Sequence, residues 1–120
     1  MYYEGSGSNS NKKAIDDLIV ATSTCLSAPS VDSHLIQRLG LLQDVNTICI
    51  GLKGCAGGAL AIIDAIARAK AFDHTSSVVL VDVHSYLMIQ PGGENPEKGR
   101  ALELVLFGDE ASATLLENRF

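Results

Sequence analysis

Apolar residues in this chain fall into short blocks of two kinds, continuous runs and helically spaced sets, separated by polar, glycine-rich or charged stretches. "DLIVATS" (17–23) is a continuous run with β-branched residues, the pattern of a strand buried on both faces. "PSVDSHLIQRLG" (29–40) changes to helical spacing, with Ser30 as N-cap, Asp32 in the first turn, Val31, Leu35 and Leu39 on one face, and Gly40 at the stop. Gln37 and Arg38 belong to its wet face. "VNTICIGL" (45–52) predicts a second strand, which leads through a glycine cluster into a helix from about 57 to 71. On that helix Ile62, Ile63 and Ile66 are expected in the core, and the alanines at 59, 61, 65, 67 and 69 allow close approach. Asp64 and Arg68 stand four apart as an exposed pair. "SSVVLVDV" (76–83) is the clearest strand and "SATLLE" (112–117) the last. Between them, "QPGGENPEKG" reads as a loop and "RALELVLFGDE" as a short helix ending near Gly108.

Strands alternating with helices, each strand nearly all apolar, predict an α/β fold: a mixed, mainly parallel sheet covered by helices, in the order β-α-β-α-β, loop, α, β. Residues 1–13, "MYYEGSGSNSNKK", read as a disordered polar lead-in, and residues 14–120 as a single domain without internal repeats. The lead-in has no apolar segment behind its charges, so no secretory signal is expected, and no stretch approaches the roughly 20 apolar residues of a membrane span.

Composition narrows the function classes. The chain has 120 residues, 47% hydrophobic and 19% charged, which suits one globular domain. Tryptophan is absent and only three Tyr and three Phe are present, so Ala, Val, Ile and Leu must form the core. A net charge of −5 argues against nucleic acid or an anionic membrane as partner. Cys25, Cys49 and Cys55 are an odd set without metal-ligand spacing, which predicts reduced thiols in a cytoplasmic protein and no metal.

The candidate chemistry lies in "GLKGCAGG" (51–58). In a fold of this kind ligands sit beyond the carboxyl ends of the strands, where Cys55 falls. A helix N-terminus offers unpaired N–H groups and partial positive charge, which favour a thiolate. Gly54, Gly57 and Gly58 let the backbone turn sharply and approach a substrate. The arrangement is analogous to a nucleophile elbow with sulfur in place of oxygen. Two other readings of the stretch stand beside it: a small buried cysteine that fits among close-packed glycines, and a phosphate cradle, although neither G-x-G-x-x-G nor GK[ST] is present. His34 and His74 read as solvent-facing, Asp16 and Asp17 as the surface start of a strand, and Asp109 as a turn cap.

"VATSTCLSAPSVDSHLIQRLGLLQDV", "GCAGGA", "VVLVDV" and "LFGDEASA", in that order and spacing from Ile15 to Glu117, resemble the thiolase-type condensing enzymes and, within them, the type III polyketide synthases of the chalcone and alkylpyrone synthase group. The first block favours that group over the related 3-oxoacyl-carrier-protein synthase III. The resemblance implies part of one thiolase-like half and a decarboxylative condensation of an acyl-CoA with malonyl-CoA. Cys55 matches the acylated nucleophile, whose own N–H would contribute to the oxyanion hole. Ser23 and Thr24 match a segment lining the acyl pocket, and Gly57, Gly58 and His84 join them as substrate-binding candidates. Ala28 to Asp32 match a dimer-interface segment; homodimers are implied, with no cofactor beyond the coenzyme A substrates.

The sequence also departs from the family pattern. His84 stands for the glutamate after the third strand, Gln90 for the phenylalanine guarding the pocket, and Glu110 for the second glycine of "GDG", where a positive φ would be strained. The histidine and asparagine that activate the thiol belong to the second half of the doubled family fold, so this chain is expected to be a partial segment, short of full turnover. A Cys55–His84 pair is geometrically conceivable; a partly exposed strand-end histidine is the alternative. A non-catalytic remnant or interaction module, and a coenzyme-binding α/β domain without thiol chemistry, remain as readings of another class.

Overall fold

The computed structural model describes residues 15–25, 27–41, 44–83, 105 and 107–118. The lead-in over 1–13, His84, Gln90 and most of the short helix expected in "RALELVLFGDE" lie outside these residues. Strands β1 (Asp17–Thr22), β2 (Asn46–Gly51), β3 (Ser76–Asp82) and β4 (Glu110–Leu116) form one sheet in the order β2-β1-β3-β4. β1 pairs parallel with β2 and β3, whereas β4 runs antiparallel to β3. The mixed, mainly parallel sheet covered by helices is therefore present. β4 starts earlier than the apolar run suggested, because its ladder begins at the Asp82–Glu110 pair.

β1 is an interior strand, and its two faces explain its continuous apolar run. Ile19 and Ala21 point to one face, where they meet Ala61 and Ala65 of helix α2 (Gly57–Phe72) and Val78 of β3. Leu18 and Val20 point to the other, against Val45 and the partly buried Val31, Leu35 and Ile36 of helix α1 (Val31–Leu39). A helix on each face leaves all of β1 buried. β2, at one sheet edge, keeps several exposed positions, including Cys49, so its apolar run is not buried on both faces as that of β1 is.

α1 ends as its spacing predicts: Gly40 takes the left-handed conformation at φ 61°. Ser30 occupies the N-cap, although its side chain caps no backbone N–H, and Leu39 is exposed.

α2 buries a different face from the one expected. Gly57, Ala61, Ala65 and Ala69, four apart, meet the sheet, while Ile62, Ile63 and Ile66 are exposed. The sheet already presents Ile19, Val78 and the partly buried Ile48 and Ile50, and a helix resting on such bulk needs small side chains at its contact stripe.

Two expectations about polar residues are corrected. Asp17 is fully buried: its Oδ1 accepts from Asn46 Nδ2 (3.1 Å) and Arg68 Nη1 (3.2 Å), and its Oδ2 meets His74 Nδ1 (2.9 Å) and Ser76 Oγ (3.2 Å). His74 thus holds the buried carboxylate while its side chain stays 29% exposed. Burial would push the Asp17 carboxyl up, but the bonds from His74, Asn46 and Ser76 outweigh it and hold it below the ordinary carboxylate value. Arg68 also binds Asp64 across one helical turn (2.9 Å), as the spacing predicts.

Candidate active site

The carboxyl ends of the three parallel strands come together at one end of the sheet. Beyond β1 the chain bends at Ser23 and Thr24. Beyond β2 it enters a tight turn, Leu52 to Lys53, and a 3-10 turn, Gly54–Ala56, that runs directly into α2. β3 ends at Asp82, opposite Glu110 of β4. Ser23, Gly54, Cys55, Leu80, Asp82, Phe107 and Glu110 line a cleft of 310 Å³ at this place.

Cys55 is exposed in the 3-10 turn, not packed among glycines, which removes the buried-cysteine reading. The turn is left-handed at two positions, Gly54 (φ 52°) and Leu52 (φ 55°). Glycine is needed at the first; leucine at the second is strained, and such strain persists only where neighbours over-determine it. The neighbours are the last residue of β1 and the bend after it: Leu52 N–H donates to Thr22 O (3.3 Å), and Gly54 N–H donates to Ser23 Oγ (3.0 Å). Ala56 N–H closes the 3-10 turn on Lys53 O (3.2 Å). Among the described residues the Cys55 N–H has no acceptor, so a donor stands unoccupied beside the thiol.

Gly57 and Gly58 begin α2 with ordinary helical backbone, so their contribution is proximity to the sheet. A Cβ on Gly57 would lie 3.7 Å from Ala21 Cβ, and one on Gly58 only 2.9 Å from Leu80 Cδ1. Neither glycine lines the cleft, nor does Thr24. The structure thus brings Ser23 and Cys55 together, sets Thr24, Gly57 and Gly58 just behind them, and leaves His84 outside the described residues.

Asp82 is the residue that sequence reasoning missed. Its Oδ1 accepts four hydrogen bonds: Thr22 Oγ1 (3.1 Å), Ser23 N–H (2.6 Å), Thr24 N–H (3.0 Å) and Thr24 Oγ1 (3.0 Å). Thr24 Oγ1 in turn accepts Val83 N–H (2.7 Å), which laces the ends of β1 and β3. Burial pushes the Asp82 carboxyl up, yet the Ser23 and Thr24 donors, with Thr22, hold it below the ordinary value. The available signal was a single acid closing the otherwise apolar "VVLVDV". Glu110, expected to strain at a glycine position, instead opens β4 in extended conformation.

The family described as "Chalcone and stilbene synthases, N-terminal domain" matches residues 7–118. Over 105 residues the chain is 30% identical to type III polyketide synthase A of Arabidopsis thaliana, covering 85% of this chain and 26% of that protein. The structure superposes on that of 1,3,6,8-tetrahydroxynaphthalene synthase from Streptomyces coelicolor A3(2), a bacterial type III polyketide synthase, with TM-score 0.78 and 27% identity over 88% of this chain and 30% of that one. Germicidin synthase from Streptomyces coelicolor, also a type III polyketide synthase, gives TM-score 0.72 and 27% identity over 88% of this chain and 27% of its own. The chain spans between a quarter and a third of the length of these relatives. By sequence and by fold, the chain belongs to the chalcone and stilbene synthase family, the type III polyketide synthases of thiolase-like fold.

Proposed function

We propose that Cys55 is the acyl-accepting thiol of a condensing acyltransferase of the type III polyketide synthase kind, and that this chain carries the first half-reaction. The observation that supports the reading most is the exposed Cys55 thiol in a cleft at the strand ends, beside its own unoccupied N–H. In the reaction, the Cys55 thiolate attacks the carbonyl of an acyl-CoA thioester. The oxyanion that forms is met by the Cys55 N–H, and the coenzyme A sulfur leaves and takes a proton, with the acyl group now on Cys55. In the second half-reaction malonyl-CoA loses carbon dioxide, and the resulting enolate carbon attacks the Cys55 thioester and releases the thiolate.

Among the described residues no histidine lines the cleft: His34 is exposed on α1, and His74 sits on Asp17 at the other end of the sheet. Condensation is assigned to the assembled enzyme on the strength of the family resemblance, in which a histidine and an asparagine come from the second half. The same reading places the protein in the cytoplasm, in keeping with its unpaired cysteines, and as a homodimer with Ala28 to Asp32 near the interface.

The test is to incubate the chain with a panel of acyl-CoA thioesters at neutral pH and follow intact mass and peptide maps. Cys55→Ser is the control, with Cys25 and Cys49 as internal references. One acyl group on Cys55, absent in Cys55→Ser, is the expected result. A folded chain that gains no mass would overturn the thioester reading and leave a non-catalytic interaction module.

A further inference from the structure

We propose that Asp82 is a positioning residue for the nucleophile turn: its Oδ1 gathers the Thr22–Thr24 bend, and Ser23 on that bend holds Gly54, the residue before the thiol. The consequence for acyl transfer rests on the reading of Cys55 as acyl acceptor; the mechanical link stands on the geometry alone.

The turn that presents Cys55 does not hold itself. Leu52 and Gly54 both have left-handed backbone, and their N–H groups are bound by the end of β1 through Thr22 O and Ser23 Oγ. The end of β1 is in turn fixed by a single oxygen with four donors. That crowding calls for a charged acceptor, since hydrogen bonds to a carboxylate are roughly twice as strong as neutral ones. The other oxygen, Oδ2, accepts no hydrogen bond from the described residues, and Asp82 lines the cleft with Ser23 and Cys55. The carboxylate thus sets the height of the bend from below. A shift there moves Ser23, Gly54 and the Cys55 N–H together.

Two reactions of the same thiol separate alignment from mere access. Acylation by hexanoyl-CoA needs the carbonyl oxygen aligned on the Cys55 N–H; alkylation by iodoacetamide needs only an accessible sulfur. In Asp82→Asn, acylation should fall by about ten- to a hundred-fold, the scale of an ångström-sized misplacement, while alkylation changes less than about three-fold. Amide exchange at Gly54 should rise about ten-fold, with the Ile19 and Val78 amides still protected. Ser23→Ala should produce the same two effects, and the double variant should be no worse than the more severe single one.

Unchanged Gly54 exchange in Asp82→Asn and Ser23→Ala overturns the proposal, as does an equal loss of acylation and alkylation. Should Asp82→Asn unfold the sheet, so that Ile19 and Val78 also exchange, Thr24→Val, which removes one of the four donors to Asp82 Oδ1 and leaves Ser23 and Gly54 untouched, decides by the same Gly54 criterion. Should the unaltered chain take no acyl group, the acyl-acceptor reading fails, and Gly54 exchange still decides whether Asp82 positions the turn.

Discussion

Asp17 and Asp82 act at opposite ends of the same parallel strands, and each gathers four hydrogen bonds from neighbouring elements. Removing the Asp17 carboxylate takes away the acceptor of Asn46 Nδ2, Ser76 Oγ and Arg68 Nη1, leaving Arg68 only its bond to Asp64, so Asp17→Ala should lower stability by about 3 kcal/mol, read from the urea midpoint. Both carboxyls are held below their ordinary value in the folded chain. The unfolded state therefore binds more protons in acid. Their contribution is complete above the unfolded value near 4, and it is lost as pH falls through that value toward the lowered folded ones. Melting temperature should accordingly decline from about pH 5 to pH 3, and Asp17→Asn should flatten that decline. In the cleft, Asp82 and Glu110 are carboxylates beside Cys55. Iodoacetate should alkylate Cys55 more slowly, relative to iodoacetamide, than it does a free thiol, and the gap should close in about 0.5 M salt. Cys55 stands out in the sequence by its type and its place at a strand-to-helix turn, and Ser23 through the family resemblance alone. Asp17 does not, since an acid at a strand start ordinarily meets water, and only its partners on β2, β3 and α2 make burial tolerable.

At the scale of elements, boundaries came from local chemistry and faces from packing. Gly40 closes α1 because a left-handed residue is required there, and Gly40→Ala should cost about 1 kcal/mol in thermal or urea unfolding. The two glycines that open α2 should respond differently. Gly57→Ala meets only ordinary contacts with Ala21 and Lys53 and should leave stability unchanged or raise it by up to about 0.5 kcal/mol. Gly58→Ala brings its methyl against Leu80 Cδ1, the far end of a side chain that can turn aside; because Leu80 lines the cleft, the substitution should alter the rate of Cys55 alkylation with little change in stability. Both α2 stripes are apolar, so periodicity cannot tell the alanine stripe from the isoleucines. Sheet bulk at Ile19 and Val78 makes that choice.

For the whole molecule, the consequence is an apolar surface. Leu60, Ile62, Ile63 and Ile66 lie exposed on α2, Ile63 by 63%. Isolated in solution, the chain should bind a hydrophobic dye and sediment as concentration-dependent assemblies; Ile63→Lys should reduce both without lowering the melting temperature. Dye binding and sedimentation that do not respond to Ile63→Lys would place the sticky surface elsewhere. No helix among the described residues is long and apolar enough to cross a membrane. The sequence by itself determined the alternation of strands and helices, the glycine stop of α1 and the position of Cys55 at a strand-to-helix turn, because each is written in residues near one another along the chain, and it determined the family through the order and spacing of separate blocks. Only the tertiary structure decided which face of α2 is buried, that Asp17 is a core residue, and that Asp82, 27 positions after Cys55, stands under the turn that carries the thiol. Those outcomes depend on the order β2-β1-β3-β4, which makes strand termini distant in sequence neighbours at each end of the sheet.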